Sequence, residues 1–139
     1  MKKVLLTLCL IAASAIGAYA QNPHFVAGPT VVDNGSTLTG SGSIAGLGNN
    51  QGLTIEMDVT GTVTTECKNR GGNIAPGQTK TEAFAVSGRY TSDKNGRVDF
   101  SLTTPLPLPG SCPNGNWTGR VTDVSFGTPV ILVNGVPVQ

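Results

Sequence analysis

The chain has 139 residues, a formal net charge of +1 and only 12% charged residues. Its lysines and arginines form no run, which excludes the basic stripe of a nucleic-acid-binding protein and the basic amphipathic segment of a membrane-surface protein. The length suits one domain with a single hydrophobic core.

The N-terminus has the pattern of a cleaved secretory signal. Two lysines precede an apolar run at 4–16, and the A-Y-A triplet at 18–20 is a typical cleavage site. The apolar run is shorter than the roughly 20 residues that span a bilayer. We therefore expect 1–20 to be a signal peptide and 21–139 to be a single domain, released into the periplasm or the exterior of a bacterial cell without a membrane anchor.

Composition after the leader favours β-structure. Gly, Thr, Ser, Val and Asn dominate, and no segment of ten or more residues repeats its apolar positions with a helical period. β-Branched residues suit a pleated surface, and Gly and Asn suit turns. The sequence therefore predicts an all-β fold.

Seven apolar runs separated by turn signals predict seven strands. The first is an edge strand, because Pro29 has no N–H to donate to a ladder. A short tail or partner strand follows the last one, after Asn134-Gly135. The predicted strands, with that tail, are 24–32, 36–47, 53–67, 79–90, 97–103, 117–126, 129–133 and 136–139.

Alternation is clearest in the third run, as in a strand with one buried face. Gly61 lies within this run and predicts a bulge or a bend. A second bulge is predicted where the alternation slips between Val121 and Val124. One face of the third run comprises Leu53, Ile55, Met57, Val59 and Val63, and the other Glu56, Asp58 and Thr60; the next two runs turn Phe84, Val86, Gly88, Tyr90, Val98, Phe100 and Leu102 inward.

Strand number and turn spacing predict an immunoglobulin-like antiparallel β-sandwich of about seven strands, with a small β-barrel as the alternative. Cys67 and Cys112 are the two cysteines after the leader, and an oxidising compartment favours a disulfide between them. Such a bond contributes about 4 kcal/mol in the chain-entropy model. We expect a peripheral bridge that ties the proline-rich loop at 103–116 to the loop at 67–78. The Leu-Pro-Leu-Pro repeat in that loop predicts a polyproline-like conformation.

Two stretches resemble motifs of a family of small, secreted, uncharacterised bacterial proteins. One is ECKNRGGNIAPGQ at 66–78, with the pattern C-x-N-x-G-x-N-x-A-P-G-Q. The other is GSCPNGNWTGRVTDVSFG at 110–127, with a C-P-N-G-N-W segment. The resemblance implies a signal peptide, paired cysteines and an all-β domain. It implies no activity, substrate or catalytic residue.

Candidate catalytic and metal-binding residues are few, so we predict neither an enzyme nor a cofactor. His24 is the single histidine and lies near the start of the mature chain. Glu56 and Asp58 are a candidate carboxylate pair for glycoside hydrolysis, but the solvated face of a sheet is the simpler interpretation. The stretch 93–99 has part of a calcium-loop pattern and lacks its bidentate Glu, which favours a hairpin turn.

Binding is the predicted function, and the partner is an extracellular protein or a glycan. Leu106 and Leu108 lie in the proline-rich loop, which a disulfide would hold rigid for a protein partner. The alternative is a lectin-like domain centred on Trp117, whose ring would stack on a sugar beside the polar side chains of Asn114, Asn116 and Arg120. Two structural interpretations remain beside these: the tryptophan packs over the disulfide or core, and the loop covers a sheet edge.

Overall fold

The computed structural model describes residues 22–139, which contain strands and no helix. The predicted signal peptide at 1–20 and its expected cleavage point lie outside the described residues. The strands are β1 (His24–Asp33), β2 (Leu38–Ala45), β3 (Gly52–Asn69), β4 (Ile74–Pro76), β5 (Lys80–Thr91), β6 (Val98–Thr103), β7 (Trp117–Phe126), β8 (Val130–Val133) and β9 (Val136–Pro137).

The strands form two antiparallel sheets. The smaller sheet has the order β1-β2-β6, and the larger one is built around β3. β5 and then β4 pair along one edge of β3, and β8 and then β7 pair along its other edge. The two edges are distinct because single residues of β3 pair with β5 or β4 and, at the same time, with β8 or β7. The predicted β-sandwich is confirmed, and the sheets do not close into the alternative barrel. The short strand β4 was not predicted and lies in the loop at 68–78. β9 is the short partner strand that was one of the two alternatives for the tail, and it pairs with β8.

Residues 22–139 contain no helix that is long and apolar enough to cross a membrane.

Alternation along β3 places the core between the sheets, as predicted. Its odd-numbered residues are buried without interruption from Leu53 to Cys67, and Glu56, Asp58 and Thr60 lie on the outer face. Two clusters fill the interior. One contains Ile44, Leu47, Leu53, Ile55, Met57, Val98, Phe100, Leu102, Ile131 and Val133, and the other Leu38, Val59, Val63, Phe84 and Val124.

Gly61 does not produce the predicted bulge. It pairs in regular register with Glu82 on one side and Phe126 on the other. A Cβ atom here would lie 3.1 Å from the ring of Phe84 and 3.2 Å from that of Phe126. The two rings pack edge to face with their centroids 5.5 Å apart. The packing of this aromatic pair against β3 therefore explains why residue 61 is a glycine.

The second predicted bulge is present. Thr64 pairs with Asp123 and Thr65 pairs with Val121, so Thr122 has no partner in the β3–β7 ladder. Because Thr122 is an extra residue in β7, inward and outward positions alternate regularly again after it. Both Val121 and Val124 consequently pack against the second core cluster.

β1 is an edge strand, as Pro29 predicted, and it pairs with β2 alone among the described strands. Nine of its ten residues are exposed, and only Phe25 packs against the core. At its start, the Phe25 N–H donates to the carbonyl of Gln139 at 3.4 Å. The C-terminal tail therefore joins the two sheets at this end.

Candidate functional site

Residues 104–112, here called the proline segment, cover the part of β3 that the smaller sheet does not reach. The smaller sheet ends at Leu38 and Thr103. Beyond it, Thr65 and Cys67 continue the inner face of β3, and both are fully buried. The proline segment contacts both residues, so it covers a sheet face rather than a sheet edge.

The proline segment is anchored at every third residue. Thr104 donates its N–H to the carbonyl of Leu38 and accepts the Leu38 N–H on its own Oγ1, both at 2.9 Å. Pro107 is buried. Gly110 donates its N–H to Oγ1 of Thr65 at 2.7 Å. A period of three residues is that of a polyproline II helix, the conformation that the Leu-Pro-Leu-Pro sequence predicts.

Gly110 is required at its position because the backbone passes so close. A Cβ atom on this residue would lie 2.4 Å from the carbonyl oxygen of Gln78. The next residue continues the contact, since the Ser111 carbonyl accepts the N–H of Gln78 at 3.3 Å. The segment is thereby fixed to the 67–78 loop as well as to β3.

The disulfide joins Cys67 to Cys112, with their Cα atoms 5.8 Å apart. The predicted link between the two loops is present through Gln78, but the bond itself is not peripheral. Cys67 lies inside β3, in the middle of a three-stranded region with β4 and β7, and is fully buried. A Cβ atom at Gly77 would lie 3.0 Å from the sulfur of Cys67, and one at Gly119 would lie 3.3 Å from that of Cys112. Two glycines thus make room for the bond.

Leu106 and Leu108 face solvent on either side of the buried Pro107. Their side chains are 73% and 67% exposed, the highest values among the large apolar residues of the described chain. Hydrophobic burial would normally remove such groups from water. Here the anchors at Thr104 and Gly110 hold both leucines outward.

The residues proposed for a lectin-like site do not converge on one surface. Trp117 is half-buried and shares the inner face of β7 with Gly119, beside the disulfide. Arg120 lies on the opposite face, exposed and ion-paired with Glu66. Asn114 and Asn116 are exposed in the preceding turn, where Oδ1 of Asn114 accepts the Asn116 N–H at 2.9 Å.

The candidate catalytic residues lie apart. His24 is exposed, and its Nδ1 lies 2.8 Å from the carbonyl oxygen of Asn22. Glu56 and Asp58 are neighbours on the outer face of one strand rather than opposite each other across a cleft. Hydrogen bonding to Asp58 and repulsion from its charge raise the pKa of Glu56.

The 93–99 stretch forms the predicted hairpin turn. Oδ1 of Asp93 accepts the N–H groups of Asn95 and Arg97 at 2.8 and 3.0 Å. The hydrogen bond from Arg97, followed by that from Asn95, lowers the pKa of Asp93. Asp99 instead bonds Ser43 on β2. Residues 22–139 hold no cluster of three or more His, Cys, Asp or Glu side chains that could bind a metal.

A cleft of about 480 Å³ at the other end of the larger sheet was not anticipated from the sequence. β3, β5 and the β8–β9 turn meet there, and pairing of β3 with its two neighbours brings residues distant in the chain together. No local motif marks the site. Its lining comprises Gly52, Leu53, Thr54, Arg89, Tyr90, Thr91 and Asn134.

No protein-family model, curated protein or solved structure matches the chain. The resemblance to the secreted bacterial family accordingly stays a prediction from its two motifs.

Proposed function

We propose that the protein is a secreted, non-catalytic binding module that presents its proline segment to an extracellular protein. The observation that carries this proposal is the exposure of Leu106 and Leu108 on a segment anchored at Thr104, Pro107 and Gly110 and crosslinked at Cys112. A soluble domain gains nothing in stability from two leucines held in water. Exposed apolar groups on a rigid support are typical of interaction sites.

Rigidity is what favours a binding role over a purely structural one. Immobilising a flexible loop costs free energy on association, and a loop already ordered in the free protein avoids most of that cost. Polyproline II segments in particular dock into grooves lined by aromatic side chains. The partner we expect has such a groove, with apolar pockets for the two leucine side chains.

Secretion is supported by the leader pattern and by the disulfide. Disulfides persist in oxidising compartments and are rare in the cytosol. The bond here is fully enclosed on its Cys67 side, as expected of a structural crosslink. An extracellular or periplasmic partner follows from that location.

The test compares the double variant Leu106→Asp/Leu108→Asp with the wild-type mature chain in pull-downs from the extracellular proteome, with captured proteins identified by mass spectrometry. Val136→Asp is the matched control, because Val136 is an apolar residue of similar exposure outside the segment. We expect a partner captured by the wild type and by the control, with at least a tenfold lower affinity for the double variant.

Equal capture by all three proteins would contradict the proposal. Because the leucines are exposed, all three should show the same melting temperature, which separates loss of binding from loss of folding. A glycan-array signal that disappears in Trp117→Ala and persists in the double variant would instead support the lectin-like alternative.

A further inference from the structure

We propose that the cleft beside Arg89 is a second binding site, which takes a sugar carrying a carboxylate, such as a uronic acid. This site lies at the opposite end of β3 from the disulfide, and its proposal does not depend on the role of the proline segment. Its lining combines one guanidinium group with amide and hydroxyl groups.

Strand register builds the site around Thr54. Thr54 pairs with Arg89 of β5 on one side. On its other side it exchanges two hydrogen bonds with Asn134: the Thr54 N–H donates to Oδ1 of Asn134 at 3.0 Å, and the Asn134 N–H donates to the Thr54 carbonyl at 2.9 Å. A guanidinium, a hydroxyl and an amide are thereby brought together at the end of the sheet.

The polar groups of this cleft are mainly donors. The hydrogen bond from the Thr54 N–H to Oδ1 fixes the orientation of the Asn134 amide, and its NH₂ group, which can only donate, has no hydrogen-bond partner within residues 22–139. Arg89 contributes a guanidinium, and Thr54 and Thr91 contribute hydroxyls that both donate and accept. No carboxylate lines the cleft. Such a set of groups favours an anionic ligand with hydroxyl groups of its own.

Arg89 has no anionic partner within the described chain. The two ion pairs of residues 22–139 are Lys80–Glu82 and Arg120–Glu66. Glu56, the next outward-facing residue of β3 after Thr54, interacts with Asp58 instead. A bidentate guanidinium–carboxylate contact is among the stronger charge-assisted hydrogen bonds, so a ligand carboxylate would complete the site.

Gly52 supplies the space. No heavy atom lies within 4 Å of the position that its Cβ would occupy, and its φ is not in the left-handed region. The glycine is thus required neither by packing nor by backbone conformation. The cleft of about 480 Å³ falls in the range of natural small-ligand sites and can hold a sugar ring.

The test is an NMR titration of the ¹⁵N-labelled mature chain with D-glucuronate, D-glucose and acetate at neutral pH. We expect glucuronate to shift the amides of Gly52, Thr54 and Asn134 with saturation. Binding should be at least fivefold weaker for acetate, which lacks the hydroxyls, and for glucose, which lacks the charge. Arg89→Gln should reduce glucuronate affinity at least tenfold, while Arg70→Gln should leave it unchanged, because Arg70 is an exposed arginine between β3 and β4, at the other end of β3.

A second variant separates binding from folding. Gly52→Val places a side chain in the open space of the cleft, where β-branched residues suit the strand. It should abolish glucuronate binding while keeping or raising the melting temperature. Equal affinities for the three ligands, shifts outside the cleft, or unaltered glucuronate binding in Arg89→Gln and Gly52→Val would each overturn the proposal.

Discussion

At the scale of single residues, the same amino acid has opposite roles on one strand. Gly52 lies on the outer face of β3 with open space around it, whereas Gly61 lies on the inner face beneath two aromatic rings. A side chain added at the first position meets nothing, and one added at the second meets Phe84 and Phe126. The two positions therefore give a matched pair for measuring the value of the aromatic contact.

We predict that Gly61→Val destabilises the protein by about 2 kcal/mol, because overpacking a filled core typically costs 1–3 kcal/mol. Gly52→Val should be neutral or slightly stabilising, since the unfolded chain loses conformational freedom. Urea unfolding with unchanged m-values measures both. Equal effects at the two positions would show that the aromatic rings move aside without cost.

Two carboxylates of the outer face, Glu56 and Asp58, act on each other. Asp58 raises the pKa of Glu56 in the folded protein. A group whose pKa is raised by folding contributes stability that is fully present below its pKa in the unfolded chain. That contribution is lost as the pH rises through its pKa in the folded protein. The Glu56–Asp58 pair therefore opposes folding at neutral pH.

We predict that Glu56→Gln raises the melting temperature slightly at pH 7 and has no effect at pH 3, where the wild-type carboxyl is already protonated. Asp93→Asn is the control of opposite sign. Hydrogen bonds from backbone N–H groups, above all that of Arg97, lower the pKa of Asp93. The contribution of Asp93 to stability is therefore present above its pKa in the unfolded chain and is lost as the pH falls through its pKa in the folded protein. A melting temperature of Glu56→Gln that follows the wild type at every pH would contradict the pairing.

Sequence patterns predicted residue orientation well wherever burial alone determines it. The inner face of β3 and the inward residues of β5 and β6 follow directly from alternation. The closeness of Trp117 and Arg120 in the chain predicted one shared site. Residues an odd number of positions apart in a regular strand point to opposite faces, and the structure places these two accordingly.

At the scale of elements, the proline segment replaces a strand. It covers the end of β3 without a ladder, using Thr104 and Gly110 as hydrogen-bonding points and Cys112 as a covalent one. The crosslink and its loop could be predicted from cysteine number. The burial of Cys67 could not, because it depends on β4 and β7 flanking β3 at that point.

We predict that Cys67→Ala/Cys112→Ala lowers the free energy of unfolding by about 4 kcal/mol, the chain-entropy value for a loop of this size. The amide of Gly110 should exchange with solvent faster, since its bond to Thr65 then holds the segment without covalent support. The amide of Thr104, anchored on β2, is the internal reference. Unaltered protection at Gly110 would show that packing alone orders the segment.

At the scale of the whole molecule, β3 organises the larger sheet. Four strands pair with it directly, two along each edge. Alternation predicts which face of each strand is buried but not which strand lies beside it, because every inward-facing strand presents a similar apolar row. The Arg89 cleft was missed for this reason, since its residues become neighbours only through the pairing of β3 with β5 and β8.

The exposure of β1 on both faces has a consequence for motion. Phe25 is its one core contact, so separating this strand from β2 uncovers little apolar surface. Segments with few buried contacts open locally, whereas central strands open only with the whole structure. Amides of β1 therefore exchange through small fluctuations of the native state, those of β3 through complete unfolding, and β2 becomes transiently available as a new edge.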